Sequence, residues 1–150
     1  MQTVRGLLDT KGREVWSVNP DDSVYSALER MAEKNIGALL VCEDDRVVGI
    51  FSERDYARKV VLHGLVSRDV PVHQVMTTDV ITVAPAHTLE ECMALMTNRH
   101  DRHLPVLEED RLVGVISIGD VVKAVISEQQ FVIDEMTNYI SGSRSKTGQQ

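Results

Sequence analysis

Gly49-Ile50-Phe51-Ser52-Glu53-Arg54-Asp55 and Gly114-Val115-Ile116-Ser117-Ile118-Gly119-Asp120 are two versions of one phrase, 65 residues apart. Working outward, the match continues without gaps. Glu43-Asp44-Asp45-Arg46-Val47-Val48-Gly49 lies on Glu108-Glu109-Asp110-Arg111-Leu112-Val113-Gly114, and Leu39, Val41, Met31, Pro20 and Val18 lie on Leu104, Val106, Met96, Pro85 and Val83. In all, Trp16–Val61 aligns on Ile81–Ile126. A repeat of this size is one structural unit used twice. Two such halves are expected to pack around a pseudo-two-fold axis.

Each half reads as β-α-β-β-α. A short extended piece ends at Pro20 or Pro85. A helix follows, with Val24, Ala27, Leu28 and Met31, or Leu89, Cys92, Met93 and Met96, at helical spacing. Ser23 and Thr88 are its N-caps, and Thr88-x-x-Glu91 has the capping-box spacing. Two strands joined by an acidic turn, Ala38–Cys42 with Val47–Phe51 and His103–Leu107 with Leu112–Ile116, make a hairpin. The second helix starts near Ser52 or Ser117. The fold class is therefore α+β. The boundaries are 9–68 and 72–130 for the two repeats, 131–142 for a C-terminal helix extension ending near Gly142, and 143–150 for a polar, disordered tail. A unit of about sixty residues buries too little surface alone, so the halves are expected to form one module. Val4-x-x-Leu7-Leu8 echoes Val72-x-x-Val75-Met76 in the link between them.

Composition narrows the function. Apolar residues are 43% of the 150, enough for a packed core. The net charge of −7 argues against a nucleic-acid binder, which needs a cationic face. Cys42 and Cys92 lack metal or redox spacing and read as reduced core residues. The opening residues carry no apolar leader segment, and no apolar run is long enough to span a bilayer, so the expectation is a cytoplasmic protein without membrane contact. His100-x-x-His103 has metal-pair spacing, but no third ligand accompanies it. Neither a nucleophile elbow nor a phosphate-loop motif is present, and no group stands out for acid–base or nucleophilic work. The chain is therefore read as no enzyme, without a catalytic cofactor or a metal.

In the repeated phrase, glycine lets a ligand or another backbone come close. The serine stands at a helix N-terminus suited to phosphate, and the aspartate can accept hydrogen bonds from vicinal hydroxyls. The same Ser-x-x-Asp also fits a plain capping box, and the two roles are compatible. The halves differ in a complementary way. Arg54 stands where the second half has Gly119, and Arg102-His103 stands where the first has Gly37-Ala38. A two-fold arrangement would turn Arg54 and Arg102 toward one anion.

The order of proline, helix, Leu104-Pro105-Val106-Leu107 strand, acidic turn and Arg111-Leu112-Val113-Gly114-Val115-Ile116-Ser117-x-x-Asp120, present twice, resembles the cystathionine-beta-synthase (CBS) domain. It is most similar to stand-alone bacterial CBS pairs (Bateman modules). The resemblance implies a disc-like pair with clefts that hold AMP, ADP, ATP, S-adenosylmethionine or NAD(H), and a role in sensing energy or redox state. It implies that Ser52 and Ser117 approach phosphate and that Asp55 and Asp120 hold ribose. It also implies that Ser17, Val18, Asn19, Thr82, Val83 and Ala84 line the base, with Gly37, Ala38, Arg54, Arg102 and His103 completing the sites. The apolar C-terminal helix, with Phe131, Val132 and Ile140, points to a homodimer. The rival reading is a protein-interaction module whose cleft is vestigial.

Overall fold

The computed structural model describes residues 2–148, with side chains through Ser141. The repeat is preserved down to single hydrogen bonds. In the first half a helix, α1 (Val4–Lys11), precedes strand β1 (Ser17–Val18), helix α2 (Val24–Lys34) and the hairpin β2 (Ala38–Glu43) and β3 (Arg46–Ser52). Helix α3 (Glu53–Asp55) continues into a π-helical segment, Tyr56–Val61. After a short 3-10 turn, Val72–Gln74, the second half supplies α4 (Leu89–Arg99), β4 (His103–Glu108), β5 (Arg111–Ser117) and α5 (Ile118–Gly148).

Local chemistry sets these boundaries. Ser23 Oγ accepts the Ser26 N–H and caps α2, while Thr88 and Glu91 form the full capping box on α4. Both helices end on a left-handed residue, Asn35 at φ 54° and His100 at φ 58°. Both hairpins turn on two positive-φ residues, Asp44-Asp45 and Glu109-Asp110, the geometry that matches strand twist in two-residue turns. The registers coincide: Ala38 faces Ser52 as His103 faces Ser117, and each hairpin carries one irregularity, after Val41 and after Val106.

The halves differ at the first strand. β1 runs parallel to β2, Ser17 opposite Leu40 and Val18 opposite Val41. Its counterpart is a single parallel bridge between Val83 and Val106. The helix α5 also departs from expectation. It passes Gly142 and runs to Gly148, so the segment 143–148, expected to be disordered, is helical; residues 149–150 lie outside the described residues. A lone glycine costs a helix only about 1 kcal/mol relative to alanine, and no proline follows to stop it.

Two apolar cores result, and they do not follow the repeat boundaries. Val70, Val72 and Val75, which lead into the second repeat, pack with Leu39, Val41 and Phe51 of the first. Val4 and Leu8, which lead into the first repeat, pack with Leu104, Val106 and Ile116 of the second. Each half is closed by the other's lead-in, which ties the halves into one module.

The repeated glycines exist for these lead-ins. A Cβ on Gly49 would lie 2.6 Å from Met76 Sδ and 2.9 Å from the Thr77 carbonyl oxygen. Thr77 cannot withdraw, because it exchanges both backbone hydrogen bonds with Ile50. On Gly114 the nearest atoms a Cβ would meet all belong to the Leu8 side chain, at 2.8 and 3.0 Å. Gly49→Ala is expected to destabilise by about 1–3 kcal/mol, an overpacking cost, and Gly114→Ala by less, as read from urea midpoints. Equal losses would contradict the distinction between backbone and side-chain obstruction.

Candidate functional site

Two clefts lie where the halves meet, and they are pseudo-symmetry mates. The first, about 830 Å³, is bounded by Ser52, Arg54 and Asp55 of one half and Arg102 and His103 of the other, with Thr77–Ile81 forming a wall. The second, about 390 Å³, is bounded by Ser117 and Asp120, with Gly37, Ala38 and the lead-in Lys11–Trp16 opposite. Gly37, Ile50 and His103 line both. Both volumes fall within the range of small-molecule sites.

In each half the serine and aspartate hold one another as a capping box. Asp55 N–H donates to Ser52 Oγ (3.2 Å), and Ser52 N–H donates to Asp55 Oδ2 (3.0 Å). The second half repeats this at 3.1 and 2.9 Å. Glu53 N–H donates to the Gly37 carbonyl, as Ile118 N–H does to that of Arg102. Two of the first three amides of each helix are therefore engaged within the fold.

The two carboxylates have different surroundings. Asp55 is buried. Its Oδ2 also accepts from Ser52 Oγ, and its Oδ1 accepts from Thr77 Oγ1 (3.1 Å) and Lys59 Nζ (3.1 Å). Asp120 is more open, and its Oδ2 meets Lys11 Nζ at 2.6 Å. Burial pushes the Asp120 carboxyl up, but the Lys11 ammonium and the Ser117 donors outweigh it and hold it below the usual carboxylate range.

Charge is concentrated in the first cleft. Arg54, Arg58 and Arg102 line it, and none is ion-paired among the described residues. Four carboxylates share the lining: Asp55 is held by Lys59, Asp79 is bound by Arg99, which also reaches Asp101 at 3.5 Å, and Glu53 lies beside the arginines. Arg54 of the first half and Arg102 of the second line this one cleft. His103 is pushed below its ordinary pKa by burial, with Lys11 and Arg102 adding to the shift and Asp120 opposing it, so its ring is neutral at pH 7. His100 lines the same cleft, but no group of three metal-binding side chains occurs among the described residues. Burial pushes the Cys92 thiol up to about 11 and the Cys42 thiol up as well, so both are protonated and poor nucleophiles at neutral pH. Cys92 is buried as expected, whereas Cys42 is half-buried.

The structure brings Gly37, Ser52, Arg54, Asp55, Arg102 and His103 to the first cleft and Gly37, Ala38, His103, Ser117 and Asp120 to the second. It does not bring Ser17, Val18, Asn19, Thr82, Val83 or Ala84 to either. Val18 and Val83 are buried in the cores. Ser17 is paired in β1, and the Asn19 side chain accepts the Asp21 N–H. Thr82 lies outside both linings, and Ala84 N–H donates to His87 Nδ1. The walls at these places come from just upstream, Thr77 with Asp79, Val80 and Ile81, and Lys11 with Gly12, Glu14 and Trp16. The matching lead-ins pointed there, but their swapped packing did not show in the sequence.

This constellation, two pseudo-symmetric clefts each closed by Ser-x-x-Asp at a strand-to-helix junction, defines a tandem-repeat α+β architecture. The CBS domain profile matches residues 9–62 and 72–127, and the chain belongs to the CBS-domain family. A CBS-domain protein from Burkholderia ambifaria MC40-6 superposes with a TM-score of 0.82 at 50% identity, covering 85% of this chain and 96% of its own. The chain is 36% identical over 150 residues to the mitochondrial CBS domain-containing protein CBSX3 of Arabidopsis thaliana, covering 93% of this chain and 72% of that protein. It is 30% identical over 137 residues to the CBS domain-containing protein YhcV of Bacillus subtilis, covering 90% and 89%.

Proposed function

We propose that the chain is a non-catalytic sensor that binds an adenosine-containing nucleotide (AMP, ADP, ATP or NAD(H)) in its larger cleft and signals by a change in how its halves, or two copies, pack. The observation that carries this reading is the convergence of Arg54 from one half and Arg102 from the other on one cleft. An anion held between them binds one arrangement of the halves better than another, and that differential affinity is what shifts a packing equilibrium. Of the contacts on Asp55, the Lys59 ammonium, half-exposed at the end of its side chain, is the one a ribose hydroxyl replaces. The Burkholderia ambifaria relative is described as a candidate signal-transduction protein, in keeping with this role.

Thermal unfolding with each nucleotide at about a millimolar tests it. A ligand at ~100 times its dissociation constant adds about 2.7 kcal/mol, a rise of several degrees for a chain of this size. Ribose 5-phosphate run alongside isolates the contribution of the base. No shift with any nucleotide would favour the rival docking module, a reading supported by the full complement of donors already on Asp55.

The sensor is further proposed to be a homodimer. Val61, Leu62 and Val66 in the first half, and Ile126, Phe131 and Val132 in the second, are large apolar side chains at least half-exposed. Val61 matches Ile126, and Val66 matches Phe131, in the repeat. Exposed apolar side chains at matching positions of the repeat suit an isologous contact. Light scattering is expected to give a dimer for the wild type and a monomer for Phe131→Asp; a monomeric wild type would end this part of the proposal. A cytoplasmic setting belongs to the same reading, supported by two free thiols; the Arabidopsis relative is mitochondrial. No helix among the described residues is long and apolar enough to cross a membrane.

A further inference from the structure

The two clefts present the same pair of acceptors to different donors. In the first, the Ile50 carbonyl accepts the Thr77 N–H (2.8 Å) and Asp55 Oδ1 accepts Thr77 Oγ1 (3.1 Å). The repeat carries Ile50 onto Val115 and Asp55 onto Asp120. There the Lys11 ammonium serves both acceptors, at 2.6 Å from the Val115 carbonyl and 2.6 Å from Asp120 Oδ2. A neutral donor fixed to the backbone has been exchanged for a cation on a side chain that reaches across the cleft, whereas the lysine on Asp55, Lys59, comes from the same half, four residues on.

We infer that Lys11 is an internal occupant of the second cleft, so that the nucleotide binds in the first cleft only. The inference rests on the nucleotide reading above and names the residue that sets its stoichiometry. Three features of the second cleft support it. Lys11 Nζ is held by two acceptors at once, Asp120 Oδ2 and the Val115 carbonyl, whereas Lys59 in the first cleft is held by Asp55 Oδ1 alone among the described residues, so Lys11 is the harder of the two to displace. Lys11 is the lone Lys or Arg in the lining, its charge is matched by Asp120, and Glu14 adds a further negative charge. The second lining therefore holds no cation free of a carboxylate, whereas the first offers Arg54, Arg58 and Arg102, unpaired among the described residues, with Glu53 beside them.

The position of Lys11 is fixed. It is the last residue of α1, which is anchored by the buried Val4 and Leu8, and Gly12 N–H closes the helix end on the Leu8 carbonyl at 2.7 Å. The backbone cannot swing away without opening the second core, so only the Lys11 side chain can clear the cleft.

The chain reports on its own second cleft, because its single tryptophan, Trp16, lines that cleft and not the first. Titration calorimetry and tryptophan fluorescence with AMP and ATP, on wild type and Lys11→Met, therefore test the inference. The wild type is expected to bind one nucleotide per chain with little change in fluorescence. Lys11→Met, which keeps the length of the side chain and removes its charge, is expected to bind two, the second with a clear fluorescence change. Lys11→Arg, which keeps the cation, is expected to stay at one; circular dichroism on each variant separates loss of fold from loss of a gate. Two sites in the wild type, or one site in both with silent fluorescence, would overturn the inference and leave the nucleotide reading standing. Binding by Lys11→Met alone, reported by Trp16, would overturn the first-cleft reading and keep the gate. Binding by neither protein would overturn both.

Discussion

Replacing Arg54 and Arg102 together by alanine is expected to weaken nucleotide binding about thirty- to a hundredfold while leaving the unliganded fold intact. The two side chains come from different halves and line the same cleft. Neither is ion-paired among the described residues, so their removal orphans no carboxylate. Hydrogen bonds to a charged group are worth more than neutral ones, but both arginines are exposed, and screening holds the effect to the lower part of that range. The single variants should each lose part of the affinity. Arg102→Lys should recover less than half of its loss, because an ammonium cannot present the planar fork that grips two phosphate oxygens. Calorimetry at two salt concentrations checks this, with a shallower salt dependence expected for the double variant. Unchanged affinity in both single variants would place the phosphates elsewhere.

The difference between what sequence and structure reveal lies in the range of each interaction. Ser23, Thr88 and the acidic hairpin turns act on backbone a few residues away, so their spacing carries their meaning. The 65-residue correspondence accordingly survives in register, caps and left-handed residues alike. The convergence of Arg54 and Arg102 was also legible, because pseudo-symmetry constrains which ends face each other. The destinations of the lead-ins were not. Val4-x-x-Leu7-Leu8 and Val72-x-x-Val75-Met76 announce buried faces, but apolar spacing carries no address, and each packs on the half it does not precede. The walls of the clefts follow from that exchange. It places Thr77 and Lys11, rather than Ser17–Asn19 or Thr82–Ala84, beside the motif carboxylates. The helix beyond Gly142 was missed for a different reason: a polar sequence shows no amphipathic period, yet a helix already formed needs a stop signal to end.

The exchange of lead-ins has a measurable consequence in Leu8→Ala, for which a loss of about 2–5 kcal/mol is expected. Leu8 is 1% exposed, and its side chain lies against the bare face of Gly114 on β5. A glycine has no side chain with which to fill the vacated space, and the neighbouring strand is pinned in its hairpin by the pairs from His103–Ser117 to Glu108–Arg111. The cavity should therefore persist, which puts the cost toward the upper part of that range. Against a total stability on the order of 5–15 kcal/mol, one methyl-rich side chain outside the profile-matched segment 9–62 would remove a large fraction of what holds the module together. The distribution of the damage is the sharper test. Amide exchange should accelerate first in α4, β4 and β5, which share the core of Leu8. The hairpin of β2 and β3 belongs to the other core and should keep its protection longer. Val72→Ala should produce the reverse pattern with a smaller total, since less volume is removed. If Leu8→Ala instead loosened the first half first, or cost less than about 1 kcal/mol, then α1 would not be the closing element of the second half.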